Sequence, residues 1–519
     1  MKPITHSSLF HLVLLAVLVI VCCLPLFAKL GAPPIYMWDE ATYANNALDM
    51  YLSHDPIVVR MEGQPDLYNT KPPFVIWMQI ISLHLFGWNE FAVRFPSALF
   101  GTLTILLLLW FSLVVLKSTF IAIAAMFTLV CTNGFVTIHV TRSGDLDATL
   151  VFWITFYVLF FIKYLLKPER PGLHFFLIAF GLIGAFLTKG IAGWFFLPLL
   201  VLIAIIHGFF LTLLRQKEVY FAAVAVLVIS CGYYFLRESM APGYWAVVYS
   251  SELMRFNNTV MSWHVQPFGF YFLNMLHGRF TPFLFLIPFS LLVFFFREEK
   301  IIHRCLLFLW VLTAGYFLLI SYPADKLEWY DAPLYPFLAL MIAILANTIV
   351  NIIQTFDFIH SHPLSKNIAA CFVLLALLAS PYYRMLKSVV ANDQITYAWD
   401  PAQLDEFRIT GAFMRHLKEN FPELHYYTIL KSPPADEEHF DQLKFYQRTY
   451  QLQYHFLIDI KNDAGEIQPG EKVITCENQL QSTLETAWSF EILEAWKGCK
   501  LYLIKDERKP AEISSPNIQ

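Results

Sequence analysis

Apolar stretches of about 20 residues recur along roughly the first 380 positions of this chain, with little charge inside them. A run of that length crosses the hydrocarbon of a bilayer as a helix, the form that satisfies its own backbone hydrogen bonds in lipid. The runs read approximately as 8–28, 95–116, 119–138, 148–166, 173–188, 191–213, 219–236, 279–296, 305–321, 331–350 and 367–383. They predict a mostly α, polytopic helical membrane protein with about 11 transmembrane helices. The first run stands where a signal peptide would, but its apolar core is long and an anchor is the better reading.

Charge is displaced to the far end of the chain. Only 15% of residues are charged, against about a quarter in soluble domains, and 36 of the 76 charged residues fall from Arg384 onward. The expected division is therefore a membrane domain over 1–384, a soluble domain over 385–507 and a disordered tail over 508–519. The soluble part reads as α/β, with helical patterns near 401–419 and 478–488 and strand-like runs at 424–430, 454–460, 472–476 and 489–504. A net charge of −4 gives no reason to expect nucleic acid.

Orientation follows from Lys and Arg. With a cytoplasmic N-terminus, alternate short loops carry Lys117, then Lys167 with Arg170, Arg215 with Lys217, Arg297 with Lys300 and Arg304, and Lys366. An odd number of spans then exports the C-terminal domain. In that compartment a disulfide between Cys476 and Cys499 is permitted, though spacing leaves the pairing open. The other six cysteines lie in or beside the apolar spans and read as packing residues.

The opposite loops, 29–94, 139–147, 188–190, 237–278 and 322–330, hold the unusual residues. The first contains Trp38-Asp39-Glu40-Ala41-Thr42-Tyr43, where the two carboxylates suit the first turn of a helix or a base. Tyr68-Asn69-Thr70-Lys71-Pro72-Pro73 places a lysine at the start of an apolar helix. Arg142-Ser143-Gly144-Asp145-Leu146-Asp147 offers a cap for the next span, with Arg142 free to neutralise one aspartate. Lys189, in Thr188-Lys189-Gly190, would snorkel to the headgroups, the tight turn leaving it few other places to point. Glu252 and Arg255 stand three apart and suit a helical pair, and Lys326-Leu327-Glu328-Trp329-Tyr330 closes the set. Each has a bland reading. Together they place carboxylates and cations on one face, near the hydrocarbon, where ionisable groups are costly and usually functional. That combination suits transfer of a group off a phosphate leaving group.

These motifs also resemble a family. Asp39-Glu40-Ala41-Thr42-Tyr43-Ala44 is similar to the D-E-x-x-Y-A signature of bacterial membrane glycosyltransferases that use polyprenyl-phosphate sugars, the aminoarabinose transferase and protein mannosyltransferase group with the GT-C fold. Lys71-Pro72-Pro73 through Trp77, Phe86-Gly87 and Ala92 through Ser97 resemble the next block, and Arg142 to Asp147 with Leu150 a third, Asp147 falling on the family aspartate. Thr188-Lys189-Gly190 and Lys326 through Tyr330-x-x-Pro333 resemble two more, so the likeness runs in order over roughly 1–350.

The resemblance implies a multi-pass protein of the bacterial cytoplasmic (inner) membrane with an extracytoplasmic active site. It would transfer a sugar from a polyprenyl-phosphate donor to a hydroxyl of a lipid, glycan or protein acceptor, with inversion. Asp39 would be the base, with Glu40 beside it, and Asp147 would orient the acceptor or share that work. Lys71, Lys189 and Arg255 would hold the phosphate, with Lys326, Tyr330 and Tyr68 toward the sugar or phosphate. The aminoarabinose branch has a glutamate before the Lys-Pro-Pro lysine and a histidine in its E-H-x-x-R-F motif. This chain has Thr70 and Leu253 there, which implies no metal and no other cofactor. The alternative from another class is a transporter or flippase for a lipid-linked or anionic substrate, whose charges would usually sit near the midplane on interrupted helices.

Overall fold

The computed structural model describes residues 6–36, 38–254, 264–296, 298–356, 363–391, 401–432 and 441–507. The helices in chain order are α1 (His6–Phe27), α2 (Asp39–Ser53), α3 (Phe74–Phe86), α4 (Glu90–Val114), α5 (Thr119–Val130), α6 (Asp147–Leu166), α7 (Pro171–Lys189), α8 (Leu197–Ile206) and α9 (Phe210–Leu214). They continue as α10 (Lys217–Met240), α11 (Tyr244–Val248), α12 (Phe270–Asn274), α13 (Lys300–Ser321), α14 (Tyr335–Ile353), α15 (Pro363–Ala391), α16 (Pro401–Asn420), α17 (Asp441–Tyr454) and α18 (Asn478–Ala487).

Among the described residues, seven helices are long and apolar enough to cross a membrane: Glu90–Val114, Asp147–Leu166, Pro171–Trp194, Lys217–Met240, Lys300–Ser321, Glu328–Ile353 and Leu364–Val390. The pair Phe270–Arg279 and Phe283–Phe295, bent by 115°, occupies the expected 279–296 run. Shorter apolar helices at Leu12–Phe27, Thr119–Val130 and Leu197–Ile206 occupy three others. The chain is a multi-pass helical membrane protein.

The chain forms two compact units, 1–30 with 46–86 and 91–392, and 31–45 with 87–90 and 393–519. In the first, small residues let helices approach closely, as membrane packing requires. α5, in which Ala122, Ala124 and Ala125 are buried, packs on α14, which is buried from Leu338 to Leu345. α6 packs on α7, where a Cβ at Gly184 would fall 2.5 Å from the Trp153 ring and one at Gly181 2.8 Å from Tyr157 Cβ. Helix α10 instead exposes Phe221, Val228 and Phe235, an apolar surface fit for lipid. Cys22, Cys23, Cys131 and Cys305 are buried as expected, whereas Cys231 and Cys371 are exposed, on α10 and α15.

In the second unit, strands β3 (Tyr426–Leu430), β4 (Leu457–Lys461), β5 (Lys472–Thr475), β6 (Trp488–Trp496) and β7 (Cys499–Glu507) form a sheet in the order β4-β3-β5-β7-β6; a two-residue pair, β1 (Arg60–Met61) and β2 (Gln64–Pro65), belongs to the first unit. β3 is parallel to β4 and β5, and β7 is antiparallel to β5 and β6. The single strand-like run expected at 489–504 is a hairpin, turned at Lys497 (φ +47°) and Gly498 (φ +86°), a pair of left-handed residues that favours a tight turn. Val473, Leu484, Trp488, Tyr502 and Ile504 lie in its core, and Cys476 is bonded to Cys499. The tail expected to be disordered, 508–519, lies outside the described residues.

Candidate active site

The loop before α3 is shaped by a buried arginine. Arg237, on α10, donates to the carbonyls of Asp66 (2.9 Å), Asn69 (2.8 Å) and Lys71 (3.0 Å). Its guanidinium lies 4.1 Å from the centre of the Tyr244 ring, and the Tyr244 hydroxyl donates to the carbonyl of Thr70 at 2.6 Å. With Pro72 and Pro73 restricting the chain that follows, the direction of Lys71 is fixed from both sides. Its ammonium lies 2.8 Å from Glu252 Oε1, which also accepts the Thr70 hydroxyl at 2.8 Å.

A second ion pair is built at the ends of α6 and α7. Asp147 opens α6 and Lys189 closes α7, so the close approach of these helices brings both side chains together. Lys189 Nζ is 2.7 Å from each oxygen of a buried Asp147 and 5.1 Å from the centre of the Tyr330 ring. Gly190 follows with φ +59°, and a Cβ there would fall 2.8 Å from Glu252 Oε2, so this turn requires glycine. Lys71, Asp147, Lys189, Glu252 and Tyr330 line one open cavity of about 150 Å³, whose apolar wall includes Leu150, Phe195, Leu319 and Ile320. Such a cavity, with cations beside a greasy wall, suits an anionic head on an apolar tail.

Beside it, His139 stacks on Trp329 at 3.7 Å and faces Asp145 at 3.4 Å, and Ser143 donates to the same carboxylate. Burial pushes the Asp145 carboxyl up, but His139 and Ser143 outweigh it and hold it below the ordinary aspartate range.

The profile of the dolichyl-phosphate-mannose-protein mannosyltransferase family matches residues 70–234. An uncharacterised protein of Aquifex aeolicus is 29% identical over 391 residues, 72% of this chain and 70% of that one. An undecaprenyl phosphate-alpha-4-amino-4-deoxy-L-arabinose arabinosyl transferase of Aeromonas salmonicida is 29% identical over 340 residues, 62% of this chain and 58% of the transferase's length. The crystal structure of ArnT from Cupriavidus metallidurans bound to undecaprenyl phosphate superposes with a TM-score of 0.59 at 16% identity, over 94% of this chain and 97% of that one. Its apo state gives 0.61 at 14% identity, over 96% and 98%. The chain has the GT-C-like fold of these two structures.

On the GT-C fold the expected site residues divide. Lys71, Asp147, Lys189 and Tyr330 meet at the cavity. Asp147, expected to orient the acceptor or share the work of the base, accepts from Lys189 at both its oxygens. Lys326 is buried, with its amine donating to the carbonyls of Gln266 (2.9 Å) and Pro323; burial lowers its pKa, although Asp325 opposes the shift. Tyr68 is exposed on the loop before Lys71. Arg255 lies outside the described residues.

Asp39 and Glu40 belong to the second unit, at the start of α2. There Glu40 is buried and accepts the backbone N–H of Tyr36 at 2.6 Å, reaching back across the turn, while Asp39 is partly exposed. Arg142 donates to the carbonyls of Pro25 and Leu26 near the end of α1, and the cation on Asp147 is Lys189. Sequence reasoning missed Arg237, because an arginine at the end of an apolar run reads as an interfacial anchor. Nor did it foresee that the Glu252 carboxylate is bonded to Lys71, 181 positions away.

Proposed function

We propose that this protein is a glycosyltransferase that moves a sugar from a polyprenyl-phosphate donor to an acceptor hydroxyl at the outer face of the cytoplasmic membrane, inverting the anomeric carbon. The observation that carries the reading is the cavity with two ammonium groups, Lys71 and Lys189, each paired with a buried carboxylate beside an apolar wall. Pairing keeps the ammonium groups balanced when no donor is bound, since an uncompensated buried charge is strongly destabilising. A donor phosphate then takes over part of that pairing, and the prenyl chain follows the apolar wall. The names of the relatives, which include a transferase of an undecaprenyl-phosphate sugar, support the same reading.

In this mechanism Asp39 removes the proton from the acceptor hydroxyl, and the oxygen attacks the anomeric carbon on the face opposite the phosphate. The bond from that carbon to the phosphate oxygen breaks, and polyprenyl phosphate leaves with its charge held by Lys71 and Lys189. Asp147 and Glu252 position those two lysines, and Tyr330 borders the Lys189 ammonium. Asp39 is preferred to Glu40 because Glu40 is buried and engaged in closing the turn. We further propose that no metal takes part, since Thr70 and Leu253 stand where the aminoarabinose branch carries a glutamate and a histidine.

The transporter or flippase reading has one feature in its favour, the helix pair bent by 115°. Arg279, at that break, is bonded to a buried Asp331 at 2.9 Å, and Asp331 also accepts the Tyr335 hydroxyl at 2.5 Å. That network reads as a structural brace for the bend. The deciding experiment is transfer by purified protein from a polyprenyl-phosphate sugar, read by mass spectrometry of lipid, glycan and protein acceptors. Asp39→Asn should keep donor binding and lower the rate by about 10²–10⁴-fold, the usual worth of a general base. Full activity in that variant removes Asp39 from the mechanism.

A further inference from the structure

The segment that carries Asp39 is gripped from both sides by side chains of the C-terminal domain, all within the second unit. Ahead of Asp39, Arg415 on α16 donates to the carbonyls of Gly31 (3.1 Å) and Ala32 (2.7 Å) and pairs with Glu90 at 3.2 Å. Ile35, four residues before Asp39, is held through both its backbone groups. Its N–H donates to the Tyr446 hydroxyl at 3.0 Å, and its carbonyl accepts from the Gln442 side chain. Gln442 and Tyr446 lie four apart on α17 and so share one helix face. The Tyr446 hydroxyl in turn donates to Glu90 Oε1 at 2.7 Å. Beyond Asp39, Thr42 donates to the Asp441 carboxylate at 3.1 Å and Asn45 to the Asp441 carbonyl at 2.8 Å. Gly411 lets this arrangement close, since a Cβ there would sit 2.8 Å from the Tyr446 ring and 3.2 Å from Pro34.

Tyr446 is fully buried, and a buried hydroxyl satisfied by two partners fixes geometry more than it adds stability. The anchors at 31, 32 and 35 on one side and 42 and 45 on the other leave Asp39 at the centre of a clamped stretch. We infer that the C-terminal domain is a positioning device for the Asp39 segment, with Tyr446 and Arg415 as the residues that set its path. The inference rests on the proposed role of Asp39. It assigns the tail domain a part in catalysis, although neither residue touches substrate.

The test is a double-mutant cycle in the full-length protein, with transfer kinetics measured against donor concentration. Tyr446→Phe keeps the ring and removes both hydrogen bonds. It should lower kcat by about 10- to 100-fold, the scale of a small misplacement of a catalytic group, and leave the donor KM and the melting temperature near wild type. Because Tyr446 acts through Asp39, the Asp39→Asn Tyr446→Phe double variant should be no slower than Asp39→Asn alone. Arg415→Lys, which replaces the planar guanidinium fork with a shorter single ammonium, should behave as Tyr446→Phe does, and Lys505→Ala, at a surface pair of the same domain, should match wild type. If Asp39→Asn is slow while Tyr446→Phe and Arg415→Lys are fully active, positioning is overturned and the base survives. Losses that multiply in the double variant also overturn it. Should Tyr446→Phe fail to fold, Arg415→Lys run through the same cycle decides.

Discussion

Lys71 shows how a side chain acquires a role from its surroundings. An isolated lysine at the start of an apolar helix reads as a headgroup contact. Here Arg237 holds its carbonyl, two prolines follow it, and Glu252 and Thr70 receive its amine. Lys71→Ala removes a charge-assisted partner of the donor phosphate, of a kind worth about 1.5–3 kcal/mol. Donor affinity should fall by about 10- to 100-fold, with turnover reduced as well. Lys117→Ala, at an exposed position between α4 and α5, should change neither. Titration of donor against initial rate checks both, and wild-type affinity in Lys71→Ala refutes the phosphate assignment. The same preparations, treated with a chelator, should keep their activity. Loss on chelation, restored by added divalent metal, would mean that Thr70 and Leu253 do not mark the loss of a metal site. The lysines and aspartates were legible as residues because charge is conspicuous in an apolar chain. Their pairing was not, since Lys71 with Glu252 and Lys189 with Asp147 are contacts between loops that only the packed helices bring together.

At the scale of elements, the membrane helices were legible because each must carry its own apolar length. Helix α17 was not. Its Asp441-Gln442-Leu443-Lys444-Phe445-Tyr446 sequence is polar and aromatic, and it is buried through contacts with distant residues such as Ile35 and Thr42. The hairpin at 488–507 was read as one strand because its turn, Lys497-Gly498, is only two residues. Pairing of α6 with α7 matters most for the site, because Asp147 and Lys189 are at adjacent ends of these helices. Gly184 allows it, lying against the Trp153 ring. Gly184→Ala should force the helices apart at a cost of about 1–3 kcal/mol, typical of overpacking. The expected result is a lower melting temperature in detergent together with weaker donor affinity. A variant as stable and as tight-binding as wild type would show that the α6–α7 contact does not set the ion pair.

For the whole molecule, the sidedness of the loops is the assertion on which catalysis depends. Loops 29–94, 139–147, 188–190, 237–278 and 322–330 were assigned to one side from the basic residues of the other loops. The cavity now gathers Lys71, Asp147, Lys189, Glu252 and Tyr330, one residue from each. A helix that crosses the hydrocarbon separates its ends by about 30 Å, so residues on opposite faces cannot share a cavity of this size. Their convergence therefore supports a common face by an argument independent of charge. The proposal for which face it is rests on the short loops bearing Lys117, Lys167, Arg170, Arg215, Lys217, Lys300, Arg304 and Lys366, which the positive-inside rule would assign to the cytoplasm. Residue 300 begins α13 and residue 390 lies near the end of α15. Three of the expected crossings lie between them, so an odd parity puts them on opposite sides. A reporter active only outside the cytoplasm should be active when fused at residue 390 and silent at residue 300, and a reporter active only inside should give the reverse. Cytoplasmic activity at both positions would remove the C-terminal domain from the outer face, and with it the compartment in which Cys476 and Cys499 are bonded.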